Sequence, residues 1–457
     1  MRHKLVIIGN GMAPGRALER LLETSPDTYD ITIFNAEPRV NYDRIMLSPV
    51  LSGEKRFEDI VIHGDAWYIR HGIMLYKGCR VVAIDRSART VTAANGTVQS
   101  YDTLVIATGS VPFIIPVPGN DLAGVLSYRD LDDVHAMMLA AKSRGRAVVI
   151  GGGLLGLEAA AGLSEQGMDV SVVHIHPTLM ERQLDPAAGH MLGEALRARG
   201  IEIVAAANTR QILGDKRVTG VELTDGRVLG ADLVVMAVGI RPNAALAKDA
   251  GLSVDRGIVV DAQMRTSDPA IYALGECVEV DGTCFGLVAP LYDMANVLAA
   301  QLVGDTTARF APQVTPTRLK VTGINLYSAG DFADGADREE IVLRDAAAGI
   351  YKRLVLKDER IIGAVLYGET TDGPWFFELM RDGIDTRPLR DTLIFGQAYQ
   401  GGSPLDPMVA VAALPDDDAI RRRNGHCEPT HRLAALSGRL LAGQGRPATG
   451  IVAAAAA

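Results

Sequence analysis

Leu5-Val6-Ile7-Ile8-Gly9-Asn10-Gly11-Met12-Ala13-Pro14-Gly15 decides the fold. An apolar, β-branched run ends on closely spaced glycines, and a segment able to form a helix follows. In that strand–turn–helix, backbone N–H groups cradle a pyrophosphate. A second copy, Ala147-Val148-Val149-Ile150-Gly151-Gly152-Gly153-Leu154-Leu155-Gly156, begins about 140 residues later. One such loop is a weak signal, because glycine-rich turns are common. Two of them at strand-to-helix junctions predict a chain that holds two dinucleotides, a flavin and a nicotinamide, in a shared crevice.

Size and composition set the frame. A chain of 457 residues predicts about three domains. With 48% hydrophobic and 22% charged residues, the composition is that of an ordinary globular protein. A net charge of −9 argues against a nucleic-acid partner, which needs a broad basic face. No apolar run approaches the ~18 residues of a membrane span, so no membrane partner is expected. The four cysteines, Cys79, Cys277, Cys284 and Cys427, form no Cys-x-x-Cys pair. That excludes a thioredoxin-like redox motif and a zinc ribbon, predicts no metal site, and fits a reducing, cytoplasmic compartment.

The pattern along the chain predicts an α/β protein with two Rossmann-like domains, the second inserted in the first, and a small α+β C-terminal domain. Residues 1–118 and 244–314 form the FAD-binding domain, 119–243 the NAD(P)H-binding domain, and 315–400 the C-terminal domain. After the first loop, residues 16–23 read as a helix and Ile31-Thr32-Ile33-Phe34 as a strand. Residues 81–85 and 90–93 read as a small antiparallel insert, in which Val82 is a candidate FAD contact. Two buried strands stop on glycines: Thr103 to Ala107-Thr108-Gly109, and Leu233 to Val238-Gly239, the last two being candidate NAD(P)H contacts. The chain returns to the first domain through residues 257–261 and 271–276. Strands at 351–356 and 361–367 and a helix at 375–381 follow. Residues 401–457, rich in Ala, Gly, Arg and Pro, read as a poorly ordered tail.

At the first loop, Gly9 and Gly11 allow the tight turn and close backbone approach, with Met12 and Ala13 next. Pro14 replaces the usual third glycine, which a helix's first turn tolerates because the missing N–H has no partner there. Glu37 is the acidic candidate for the ribose hydroxyls. At the second loop, Gly151, Gly153 and Gly156 keep the full spacing, with Leu154 and Leu155 between them. Past the next strand, His174 stands where NAD-specific proteins carry an acid, and Arg182 follows. These two suit a 2′-phosphate, while an imidazole also bonds a ribose hydroxyl, so NADH and NADPH both stay open.

Further motifs carry a resemblance. Ala107-Thr108-Gly109 and Thr266-Ser267-Asp268-Pro269-Ala270-Ile271-Tyr272-Ala273-Leu274-Gly275-Glu276 resemble two flavin motifs of the FAD-dependent pyridine nucleotide-disulphide oxidoreductases. That resemblance implies that Gly275 and Glu276 approach the flavin, Glu276 accepting from its ribityl chain. It places Arg44 and Ser48, in Asn41-Tyr42-Asp43-Arg44-Ile45-Met46-Leu47-Ser48-Pro49, beside the isoalloxazine. Arg44 would then stabilise negative charge on the reduced ring, and Glu158 would lie near the nicotinamide. Arg129, Pro290 and Leu291 match further flavin contacts. No cysteine precedes Cys79, so thiol chemistry at the flavin is not expected.

Within that family the chain is similar to the N-terminal flavoprotein part of the assimilatory NAD(P)H nitrite reductase large subunit. Gly9-Asn10-Gly11-Met12, Asn41 to Ile45, Pro177-Thr178-Leu179-Met180-Glu181-Arg182-Gln183-Leu184-Asp185 and Lys320-Val321-Thr322-Gly323 carry that likeness. In that family electrons pass from NAD(P)H through FAD to an iron–sulfur cluster and then to a sirohaem. Here Arg421 and Arg423 stand where cluster thiolates are expected, and Cys427 alone cannot hold a cluster that needs four. The expectation is therefore the first half-reaction, with an iron–sulfur or sirohaem-containing redox partner taking the electrons and a homodimer formed through the third segment. A rubredoxin or ferredoxin reductase is the alternative enzyme. A flavin-binding subunit without turnover is the non-enzyme alternative.

Overall fold

The first glycine loop is held by a strand covered on both faces. In His3–Ile8, the last four residues are at most 5% exposed, which is why they read as a continuous apolar run. The computed structural model describes residues 2–321 and 323–400, and residues up to Gln400 form one compact unit. His3–Ile8 is the centre of a five-stranded parallel sheet ordered Ile271–Ala273, Thr103–Ile106, His3–Ile8, Tyr29–Phe34, Met74–Tyr76. Helices Met12–Thr24 and Val288–Leu302 pack together and bury their apolar sides with it.

The second sheet repeats the plan. Its order is Val125–Ser127, Leu233–Met236, Arg146–Ile150, Asp169–Val173, Glu202–Val204, all parallel, with the strand before the second glycine loop again central. Its strands all fall between two stretches that build the first sheet. Each sheet also carries a three-stranded antiparallel insert: Val81–Asp85, Thr90–Ala93 and Val98–Ser100 in the first half, Thr209–Gly214, Val218–Leu223 and Val228–Gly230 in the second.

The C-terminal part is an antiparallel sheet ordered Thr317–Val321, Ile324–Gly330, Arg360–Tyr367, Ile350–Lys357, Glu339–Asp345. Helix Gly373–Arg381 covers one face with Phe376 and Leu379. The other face meets the second half through Tyr351, whose hydroxyl donates to Asp185 at 2.5 Å, and Arg353, whose guanidinium contacts Asp185, Asp334 and Glu340. Asp185 is itself anchored, because it caps helix Pro186–Arg197 by accepting from the Ala188 amide.

One sequence expectation is corrected. The first helix starts at Met12, not at residue 16, because Pro14 sits in the first turn where it gives up no hydrogen bond. The return at residues 257–261 is to the first half, as expected, since Ile258 and Val260 are in its core, but Ile258–Val260 lies outside the large parallel sheet. It pairs with Val278–Val280, which turns back on Thr283–Cys284. Cys79 and Cys277 are buried and Cys284 partly so. The expected tail, with Arg421, Arg423 and Cys427, lies outside the described residues. Among the described residues no helix is long and apolar enough to cross a membrane.

Candidate active site

The two glycine loops have the same construction. The Gly9 amide donates to Phe34 O and the Gly151 amide to Val173 O, both at 2.8 Å. Gly9 and Gly151 have φ of +109° and +122°, and a Cβ on either would lie 2.1 or 2.3 Å from the carbonyl oxygen of Ala107 or Ala237. No other residue fits there. Gly156 is equally pressed, against Gly151 O. Gly11 and Gly153 are the opposite case. Each is the N-cap of the following helix, with no side-chain cap and no acid in the first turn, and a Cβ on either would meet nothing within 4 Å. Unpartnered helix N–H groups facing open space favour an anion through both hydrogen bonding and the helix dipole. Both cradles thus fit the pyrophosphate of a dinucleotide.

Around the first loop, Asn41 Nδ2 donates to Asn10 O at 2.9 Å and Gly11 O at 2.7 Å, and Tyr68 donates to Asn10 Oδ1. Met12 is partly buried, and Ala13 and Pro14 are buried beneath the loop. Asn10 Nδ2 is buried with no partner. Thr108 Oγ1 donates to Asn243 O at 2.7 Å, which fixes the turn at Gly109. Gly275 comes within 3.6 Å of Ala13 when a Cβ is built on it, so Glu276 lies near the same helix start. Glu276 accepts from Ser110 at 2.8 Å and pairs with Arg129. Pro290 and Leu291 stand in the first turn of Val288–Leu302. Val82 is the extra residue of a bulge, its side chain exposed and its backbone out of the ladder.

Glu37 and Arg44, placed apart by the sequence reading, come together. Arg44 pairs with Glu37, stacks over the Tyr42 ring at 4.9 Å, and donates to Arg129 O. Tyr42 donates to the second oxygen of Glu37 at 2.8 Å.

Ser48 and Glu158 come together. Ser48, on helix Leu47–Ser52, donates to Glu158 Oε2 at 2.5 Å and lies 2.9 Å from the Tyr128 hydroxyl. Glu158 is in the second turn of helix Leu154–Glu165, directly past the second loop, so it is not a first-turn dipole partner. Burial pushes its carboxyl above the ordinary range, with the Ser48 bond opposing, and burial raises the Tyr128 phenol likewise. Tyr128 escaped the sequence reading because it lies far from both partners in the chain.

At the second loop Leu155 is 40% exposed and Gly239 is exposed, while Leu154 and Val238 are partly exposed. His174 departs from its expected role as an open ligand. It is buried, with Nδ1 accepting from the Gly152 amide at 3.1 Å and Nε2 3.0 Å from Glu181. Arg182 is exposed on a cleft shared with the C-terminal sheet.

The pyridine nucleotide-disulphide oxidoreductase family matches residues 3–301. The chain belongs to this family. The rubredoxin NAD+ reductase C-terminal domain matches residues 316–384. Two proteins of Bacillus subtilis are similar: a nitrite reductase [NAD(P)H], 44% identical over 93% of this chain, and an assimilatory nitrate reductase electron transfer subunit, 42% identical over 81%. The match takes in 52% and 48% of their lengths, so the chain spans about half of each. A ferredoxin reductase of Rhodopseudomonas palustris has a similar structure, with a TM-score of 0.77 and 28% identity, covering 86% of this chain and 98% of its own. The family is one of FAD- and NAD(P)H-dependent oxidoreductases, and the chain is an oxidoreductase of that kind.

Proposed function

We propose that the chain takes a hydride from NAD(P)H onto bound FAD and passes the electrons to an iron–sulfur or sirohaem-containing partner in nitrite or nitrate assimilation. The carrying observation is the pair of open, uncapped helix starts at Gly11 and Gly153 in two halves of one compact unit. Bound FAD supplies a two-electron acceptor that releases electrons singly. The chain's own residues bind and orient. Gly9, Gly11 and the Met12–Pro14 turn would hold the flavin pyrophosphate, with Glu37 and Arg44 at the adenosine end. Thr108, Gly109, Glu276 and Arg129 would lie along the chain of the cofactor. Gly151 to Gly156, Val238 and Gly239 would hold the coenzyme, and the Ser48–Glu158 bond would fix the floor between the two sites. Hydride transfer needs no general base, so the absence of a His/Asp pair from this reading costs it nothing.

A second reading, a rubredoxin or ferredoxin reductase, draws on the C-terminal match and on the full-length likeness to the ferredoxin reductase. Reoxidation separates the two. The FAD-loaded protein is reduced anaerobically with NADH and mixed with a sirohaem nitrite reductase, a ferredoxin or a rubredoxin. Fast return of the flavin colour with the sirohaem protein supports the first reading. Return with only the small iron–sulfur proteins supports the second.

A further inference from the structure

Backbone hydrogen bonds show what stands at the ribose end of the second site. The Asn35 and His174 amides donate to Tyr76 O and Val204 O, at 2.8 and 3.0 Å. Their carbonyls accept from Cys79 and Ala207, at 2.7 and 2.9 Å. Two residues on, the carbonyls of Glu37 and His176 accept from Gly78 and Ala206, both at 2.9 Å. His176 therefore holds in the second half the backbone position that Glu37 holds in the first. Each position carries an acid–base pair with the roles exchanged: Glu37 with Arg44, and His176 Nε2 with Glu181 Oε1 at 3.6 Å.

Glu181 is fixed to the glycine loop by a short chain of bonds. Its Oε2 is 3.0 Å from His174 Nε2, His174 Nδ1 accepts from the Gly152 amide, and the Met180 amide donates to Gly152 O at 3.0 Å. The adenosine ribose of a dinucleotide lies at the end of the strand that follows such a loop. A carboxylate there bonds a free 2′-hydroxyl and repels a 2′-phosphate. Arg182, which the sequence offers for a phosphate beside His174, lines a cleft of about 370 Å³ together with Glu181, Asp185, Asp331 and Asp334. The guanidinium of Arg353, on the same cleft, is taken up by Asp185, Asp334 and Glu340. Carboxylates outnumber guanidinium groups along that cleft.

We propose that Glu181, presented by His174 and His176, selects NADH over NADPH. This rests on reading the second loop as the coenzyme site. The probes are ADP-ribose and its 2′-phosphate, titrated by calorimetry into the FAD-loaded protein, with anaerobic flavin bleaching by NADH and NADPH beside them. The wild type is expected to bind ADP-ribose on the order of tenfold more tightly. Glu181→Gln should narrow that ratio and Glu181→Arg should invert it. Equal or tighter binding of the 2′-phosphorylated probe by the wild type overturns the inference. So does a ratio that responds to Arg182→Ala and not to Glu181→Gln. Binding of neither probe, with no bleaching by either coenzyme, overturns the coenzyme-site reading itself.

Discussion

Glu158 is the residue whose surroundings depart furthest from what its position in the chain announces. A carboxyl in the second turn of a helix reads as a surface group, but here it is buried against Ser48 and Tyr128, and burial raises its pKa above the ordinary 4.5. Between 4.5 and the raised value the folded state keeps a proton that the unfolded state has lost. Stability therefore falls as pH rises through that window. Glu158→Gln removes the titration and keeps an oxygen to accept from Ser48. Its melting temperature should exceed that of the wild type by a margin that widens as pH rises above 4.5. A margin independent of pH would contradict the burial argument. The glycines of both loops were legible because their role depends on neighbours within a few residues. Glu181, Tyr128 and the Glu37–Arg44 pair were not, because their partners arrive through loop closures and sheet register that no local pattern encodes.

At the level of elements, helix Leu47–Ser52 packs against helix Leu154–Glu165 through Leu51 as well as through Ser48. A Cβ on Gly162 would lie 2.8 Å from Leu51 Cγ, and Leu51 is fully buried. Gln166 Nε2 closes the contact by donating to Leu51 O and Ser52 O, both at 3.1 Å. Gly162→Ala sets a helix-propensity gain of about 1 kcal/mol against overpacking of about 1–3 kcal/mol. The net effect in the wild type should be a loss, read by urea unfolding. In a Leu51→Ala background, where the space is open, the same change should stabilise by about 1 kcal/mol. An unchanged sign would show that this approach does not fix the helix pair. The parallel strands were readable as apolar runs because sheets covered on both faces demand them. Ile258–Val260 has the same composition and joins a different sheet, so strand content was legible where strand partners were not.

At the scale of the whole unit up to Gln400, two similar nucleotide-binding halves carry an antiparallel sheet held to the second by Tyr351, Arg353 and Asp185. The duplication was visible in the sequence as paired glycine loops, and the structure extends it to the backbone bonds around each. The central claim is that the second loop delivers reducing equivalents to a flavin held by the first. Because a side chain at Gly153 would project into open space, Gly153→Val should leave the fold and bound FAD intact. Anaerobic stopped-flow absorbance at the visible flavin band tests this most directly. NADH should bleach the wild-type flavin, and Gly153→Val, with its FAD retained, should slow bleaching on the order of 100-fold. A variant that loses its flavin, or that is reduced as fast as the wild type, would contradict the claim.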